Sequence, residues 1–321
     1  MKLDNVKLKR IVGDASFRTF YRKKKARKNS IIVFSKKEKE KNLLIYDAVN
    51  KLLIKNKILA PKLISENYEK NFIEIQDFGK NTVYKLLKKY PTNKINLYRK
   101  SIDLLNKIQK IKNLKSKNFN GKIYRIPIYD NYKLYSEAKL FTDWYSKKFV
   151  SKKELKKLNL SIHQQIKFLL SNLKLKNKVF VHRDFHVSNL MKYKNQLAII
   201  DSQDAVFGNE AYDLASLIDD VRFISNNRLK EKVYNYYIGS KKKSFNKTDF
   251  LNDFEIFSVL RNMKIIGIFT RLAKRDKKKI YLSLIPYAWR LIELRIKNNK
   301  KFEILKDIFD IHFPKKIRNL K

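Results

Sequence analysis

Three polar residues between positions 179 and 204 stand at distances that suit phosphoryl transfer. A short apolar run, Val179-Phe180-Val181, leads into His182-Arg183-Asp184, Asn189 completes the spacing H-R-D-x-x-x-x-N, and a second apolar run, 197–200, delivers Asp201. Phosphoryl transfer asks a protein mainly to position groups and to stabilise charge. A carboxylate must meet the acceptor hydroxyl, a role that suits Asp184. An amide and a second carboxylate must hold Mg²⁺ against the phosphates, which suits Asn189 and Asp201. A lone Asp after a strand is ordinarily a helix cap or a turn residue; here three spacings agree, and a hairpin turning at residues 193–196 would return Asp201 to the metal.

The elements before this loop must hold the nucleotide. Residues 7–34 read as strands around a turn, with Gly13 and Ser16 in GDAS able to bring backbone N–H groups close to phosphate or to form an ordinary hairpin turn. The strand 30–34 is where a phosphate-pairing lysine is expected, yet the alternation of the strand puts Ser35 there, with Lys36 just beyond. Lys36 is therefore either the phosphate partner or a solvated charge in a Lys-rich segment, and Arg18 in the turn is the alternative partner. Residues 43–53 have helical spacing, with Leu44, Ala48 and Leu52 on one stripe. The strand 71–76 ends in Asp77-Phe78-Gly79, so Glu74 to Asp77 is either the hinge whose backbone receives adenine or an edge strand with a turn.

From Thr82 onward the pattern is helical: 83–89, then Tyr98, Ile102, Leu105 and Ile108 on one face, then 134–149, 161–173, 254–273, 280–296 and 302–313. The Lys/Asn-rich stretch 110–122 reads as a surface loop. Trp144 and Tyr145 in FTDWY either line a sugar pocket or form a buried helix face. Asp213 precedes the stripe Leu214, Leu217, Ile218, near a helix start, where exposed N–H groups favour a carboxylate.

Composition removes several alternatives. There is no cysteine and there are four histidines, so thiolate or histidine-cluster metal sites are not available. The 321 residues, 44% of them hydrophobic, suffice for two lobes, expected at 1–80 and 81–321. The opening MKLDNVKLKR has no apolar core and no apolar run approaches the roughly 20 residues that span a bilayer, so a cytoplasmic protein with no membrane insertion is expected. The net charge of +45 invites a nucleic-acid reading, but the lysines are scattered through nearly every segment among abundant Asn and Ile, so no specific nucleic-acid partner is expected.

The strings GDASFRTFYR, QDFG, FTDWY, HRDFHVSN, IIDSQDAVFG, AYDLASLIDD and IIGIFTRLAKRDKKKIY occur in that order. With them the chain resembles the aminoglycoside phosphotransferase/choline kinase superfamily, and within it the branch of bacterial anomeric kinases of N-acetylmuramate and N-acetylglucosamine. The resemblance implies an α+β, bilobal, protein-kinase-like fold with a small β-rich N-terminal lobe and a larger helical C-terminal lobe. It also implies ATP and Mg²⁺ as cofactors, an amino-sugar substrate phosphorylated at C1 in cell-wall recycling, and a monomer. Carried over by position, Asp184 would be the base, Asn189 and Asp201 the metal ligands, His182 and Asp213 supports of the site, and His186 with Trp144 substrate contacts. Ser202-Gln203 after the metal aspartate departs from the protein-kinase Phe-Gly, so no activation-loop switch is expected. The rivals are an aminoglycoside or choline-type O-phosphotransferase, for which +45 is a poor field to attract a polycation, a catalytically dead nucleotide-binding scaffold, and a basic nucleic-acid-binding protein.

Overall fold

The computed structural model describes residues 8–11, 18–24, 29–35 and 42–320. Chain contacts divide it into two compact units: residues 1–127 with 182–207, and residues 128–181 with 208–321. The first opens with strands β1 (Leu8–Ile11), β2 (Arg18–Lys23) and β3 (Ser30–Ser35), helix α1 (Asn42–Lys55), then β4 (Leu63–Asn67) and β5 (Phe72–Gln76). These strands form an antiparallel sheet in the order β1-β2-β3-β5-β4. In β3 the period-2 alternation directs Ile31 and Val33 to one face, where they meet Ile73 and Ile75 of β5 and Leu43 and Tyr46 of α1 in a buried cluster.

The same unit continues with α2 (Val83–Lys89), capped by the Thr82 hydroxyl on Lys85 N–H, and α3 (Lys94–Gln109). The stretch expected as a surface loop instead carries a small hairpin, β6 (Lys115–Lys117) and β7 (Ile123–Arg125). Its turn is organised by Asn118, whose side-chain oxygen accepts from the N–H groups of Asn120 and Lys122 at 3.0 and 3.1 Å. Phe119 at its tip packs edge-on to Tyr68, against the sheet cluster. One half-buried aromatic among twelve mostly polar neighbours is what the composition of this stretch concealed.

In the second unit come α4 (Asn131–Ala138), a π-helical turn Phe141–Tyr145, α5 (Lys152–Ser171) and β8 (Val179–Val181). The chain then contributes the loop from His182 and the hairpin β9 (Leu190–Tyr193) and β10 (Gln196–Ile199) to the first unit. After β11 (Val206–Gly208) the second unit is completed by α6 (Ala211–Ile218), α7 (Asn227–Gly239), α8 (Lys247–Arg275), α9 (Ile285–Ile296), α10 (Glu303–His312) and α11 (Lys315–Arg318). No helix among the described residues is long and apolar enough to cross a membrane.

The long α8 is the spine of the second unit, with buried side chains from Phe250 to Ala273. Beside it, Phe141, Tyr145, Trp289, Phe309 and Phe313 form an aromatic cluster in which the Trp289 indole N–H donates to the Tyr145 hydroxyl at 3.0 Å. Asp219 is wholly buried at the end of α6. Burial alone would raise its carboxyl, but the charges of Lys230 at 2.8 Å and Arg295 at 2.9 Å outweigh that and hold it well below the ordinary carboxylate range.

Gly267 lets α8 meet the chain entering the π turn. A β-carbon there would stand 2.3 Å from the Leu140 carbonyl carbon and oxygen and 2.6 Å from Phe141 N, so backbone would have to move. Gly267→Ala is expected to destabilise the protein by roughly 1–3 kcal/mol despite the better helix propensity of alanine. Chemical denaturation checks this, and an unchanged or raised midpoint would show that the two backbones are not in contact.

Candidate functional site

The loop 182–201 is built so that its chemistry-bearing side chains stand out of an apolar base. Phe185, Val187, Leu190 and Ile199 are fully buried, whereas Asp184, Asn189 and Asp201 are half-exposed. Backbone bonds fix the loop to the rest of its unit: Tyr84 N–H donates to Val187 O at 2.9 Å, Lys192 N–H to Asn81 O at 2.8 Å, and Ile199 N–H to Leu59 O at 2.8 Å. Phe78, just past β5, packs on Met191, Ala198 and the Tyr193 ring in a second small core. The expected hairpin is present, with Tyr193 opposite Gln196.

Inside the loop the Asp184 carbonyl accepts two bonds at 3.0 Å, from His186 N–H and from the Asn189 side-chain nitrogen. Because a carbonyl only accepts, the second bond assigns the Asn189 amide, and its oxygen is the atom left for a ligand. Ile200 N–H closes the loop on Asn189 O at 3.1 Å. Arg183 and Asp201 both adopt left-handed backbone, φ 72° and 65°, a conformation that costs a residue with a β-carbon roughly 1–3 kcal/mol and is concentrated at functional sites.

Arg18 completes this cluster. It lies opposite Ser35 in the β2–β3 register, so its guanidinium comes from the strand beside the position expected for a lysine. Its Nη2 donates to Asp201 Oδ1 at 2.9 Å, and its guanidinium carbon lies 5.8 and 5.7 Å from the ring centres of Phe20 and Tyr46. Burial raises the Asp201 carboxyl above its ordinary value; Arg18 opposes that shift, and Asp184 and Asp204 add to it. A half-buried carboxylate with like charges nearby is a site that gains from a cation.

His182 is wholly buried, and its Nε2 stands 3.1 Å from Ile200 O. The carbonyl requires the proton on Nε2, which fixes that tautomer, and burial favours the neutral ring. Burial pushes its pKa down to about 4, only partly offset by Asp184 and the other nearby acceptors. His186 is also buried, with Nε2 3.4 Å from the Asn189 side-chain nitrogen, so it faces the loop.

The sequence of the phosphotransferase enzyme family matches residues 7–243. The chain belongs to this family. Among curated proteins, this phosphotransferase is 29% identical over 294 residues to the N-acetylmuramate/N-acetylglucosamine kinase of Pseudomonas aeruginosa, covering 88% of this chain and 82% of that one. It is 28% identical to the enzyme of the same name from Neisseria meningitidis serogroup B, over 85% of this chain and 81% of the other. In fold it resembles Plasmodium vivax ethanolamine kinase, with a TM-score of 0.62 at 13% identity over 92% and 83% of the two chains. It likewise resembles an ADP-bound aminoglycoside phosphotransferase, APH(2'')-Ib, with a TM-score of 0.59 at 16% identity over 91% and 93%. The sheet-and-helix architecture is thus the protein-kinase-like fold expected from the motifs.

Of the residues singled out in the sequence, the structure of this phosphotransferase brings together Asp184, Asn189, Asp201, His182, His186 and Arg18. Gly13, Ser16 and Lys36 lie outside the described residues. The Glu74 carboxylate is engaged inside the sheet, by Ser30 Oγ at 2.6 Å and Lys23 Nζ at 3.2 Å. Asp77 takes two bonds from Arg22, at 2.5 and 3.0 Å, and one from Gly79 N–H at 2.7 Å. Both carboxylates are therefore committed to holding β5 and the turn after it. In the second unit, Trp144 is half-buried on the π turn and Asp213 is fully buried in the first turn of α6. Sequence reasoning missed Tyr46, Asn50 and Ser202: the Ser202 hydroxyl donates to the Asn50 side-chain oxygen at 2.7 Å, directly behind Asp201. The available signal was a pair of polar residues, 46 and 50, one helical turn apart on a helix whose other buried positions, Asp47 excepted, are aliphatic.

Among the described residues no three His, Cys, Asp or Glu side chains form a metal cluster. The donors present are the Asp201 carboxylate and the Asn189 amide oxygen, a set that suits Mg²⁺, which keeps waters and takes substrate phosphates beside one or two protein oxygens.

The neutral, buried His182 generates a pH prediction. Its folded value of about 4 lies below the ordinary 6.5, so the unfolded chain binds the proton first as pH falls. Its stabilising contribution is complete above pH 6.5 and declines towards pH 4, by ~2 kcal/mol between pH 7 and 5. In His182→Asn that part of the decline is expected to vanish, so the stability gap between the two proteins narrows by that amount at pH 5. Urea unfolding at both pH values reads the gap, and an equal gap would show that the histidine does not sit neutral.

Proposed function

We propose that this phosphotransferase transfers the terminal phosphoryl group of Mg²⁺·ATP to an amino sugar, at the anomeric C1 hydroxyl of N-acetylmuramate or N-acetylglucosamine. The observation that carries the chemistry is the convergence of Asp184, Asn189, Asp201 and Arg18 around one half-buried loop. The names of the curated relatives support the acceptor class.

On this reading the Asp184 carboxylate receives the acceptor's hydroxyl proton. Asn189 Oδ1 and Asp201 hold the magnesium of the nucleotide, which when bound neutralises charge on the phosphate oxygens. Arg18, paired with Asp201, supplies the guanidinium that the strand lacks as a lysine at Ser35 and would be the side chain to meet the phosphates. Buried, neutral His182 holds the two ends of the loop together. Residues 1–80 serve as the nucleotide lobe and 81–321 as the catalytic and acceptor lobe, and His186 of the catalytic loop faces the sugar. An ATP-driven reaction on recovered sugars fits a monomer in the cytoplasm.

An anomeric hydroxyl is more acidic than the other sugar hydroxyls and so is easier for Asp184 to assist. A lactyl carboxylate on N-acetylmuramate is favoured by the strongly basic chain, which ranks that sugar ahead of N-acetylglucosamine. Phosphorus NMR of the product, combined with a reducing-end assay, is expected to show a C1 phosphate with no reducing end. A product that keeps its reducing end, or turnover confined to choline or aminoglycosides, would remove the C1 assignment.

Asp184→Asn is expected to lower kcat by roughly 10²- to 10⁴-fold while leaving nucleotide affinity within a few-fold. Turnover close to that of the unmodified enzyme would dismiss Asp184 as the base.

A further inference from the structure

Asp201 presents its carboxylate from a left-handed backbone, φ 65°, which aspartate tolerates better than most residues but still at some cost, so a contact that holds the turn has a use. The next residue, Ser202, is completely buried, and its hydroxyl donates to Asn50 Oδ1 at 2.7 Å, across 152 residues of sequence. Asn50 is itself only 2% exposed, on α1. One turn earlier on α1, the Tyr46 ring lies against the Arg18 guanidinium, and the Tyr46 hydroxyl lies beside the Asn50 amide. Burial pushes Tyr46 up to about 12, so it remains a neutral phenol. The circuit closes where Arg18 meets Asp201 at 2.9 Å. Helix α1 therefore reaches Asp201 by two routes: through Asn50 to the backbone that follows it, and through Tyr46 and Arg18 to its side chain.

We infer that Asn50 is a positioning residue for Asp201. Its bond to Ser202 pins the left-handed turn that aims the carboxylate, so that the placement of α1 sets the affinity for a magnesium-bound nucleotide. This rests on the reading of Asp201 as a ligand of the nucleotide's magnesium. Asn50 touches neither substrate nor metal. The Ser202 hydroxyl and the Asn50 side-chain oxygen satisfy one another in a buried setting, where losing either partner would leave the other unmet, while the buried Asn50 amide nitrogen makes no hydrogen bond among the described residues.

The test is equilibrium binding of ADP by calorimetry to the full chain, with Mg²⁺ and with EDTA. Asn50→Ala is expected to weaken Mg²⁺·ADP about 10-fold, the scale of one buried hydrogen bond, and to change metal-free ADP by less than about 2-fold. Ser202→Ala, the smaller change should Asn50→Ala fold poorly, is expected to do the same. The double variant should be no weaker than either single, because both remove one bond. Losses that multiply in the double variant, or that are equal with and without Mg²⁺, would overturn the inference. Asp201→Ala separates the levels. If it leaves Mg²⁺·ADP binding unchanged, the metal assignment falls and takes the inference with it. If it weakens binding while Asn50→Ala and Ser202→Ala do not, the positioning role alone is lost.

Discussion

A carboxylate that must stay charged while half-buried is the constraint around which the first unit is arranged. Asp201 has Asp184 and Asp204 for neighbours, and water reaches it only in part, so its ionised form needs a cation. Arg18 provides one, and the cost of fixing that long side chain is met by the Phe20 and Tyr46 rings between which it lies. Removing the arginine would leave a partly buried carboxylate without its cation. The β2–β3 register and the packing of Tyr46 of α1 place Arg18 within reach of Asp201.

The motifs of the loop were legible because their spacings are imposed by the reaction: Asp184, Asn189 and Asp201 have to appear in that order at those distances. The β3 and α2 segments were equally clear, since alternation in one and a Thr cap with an apolar stripe in the other are local signals. The start of α5 was not clear. Its first two turns are polar, and the sign that should have been read is Ser151-Lys152-Lys153-Glu154, where the serine hydroxyl and the glutamate answer each other at the helix start. The hairpin at β6 and β7 was hidden for the opposite reason, as its one anchor, Phe119, pays off only against Tyr68 and the sheet, both remote in sequence. Asn50 and Ser202 escaped because a bond spanning 152 residues leaves no local trace.

The excess of positive charge has a modest structural role. Several of the buried or half-buried cations are matched by carboxylates, as at Lys230 and Arg295 on Asp219 or Arg318 between Glu293 and Asp310. With 75 basic and 30 acidic side chains, most of the cations have no carboxylate to meet and remain as solvated helix faces. Such a surface repels itself, which the large aromatic cluster and the long apolar face of α8 offset. A basic exterior also draws anionic small molecules and would hold RNA loosely at low salt, an association that screening removes.

The order in which the chain leaves the ribosome meets an obstacle in the way the first unit is assembled. Its sheet and first three helices are complete by residue 127, yet Leu59 and Phe78 find their partners Met191 and Ala198 only after a further excursion of more than fifty residues into the second unit. Until then an apolar patch and the carbonyls of Leu59 and Asn81 face solvent. The nascent protein therefore passes through a stage in which the half that will carry the nucleotide chemistry is formed but unsealed, and it is at this stage, rather than after release, that chaperones would have most to do.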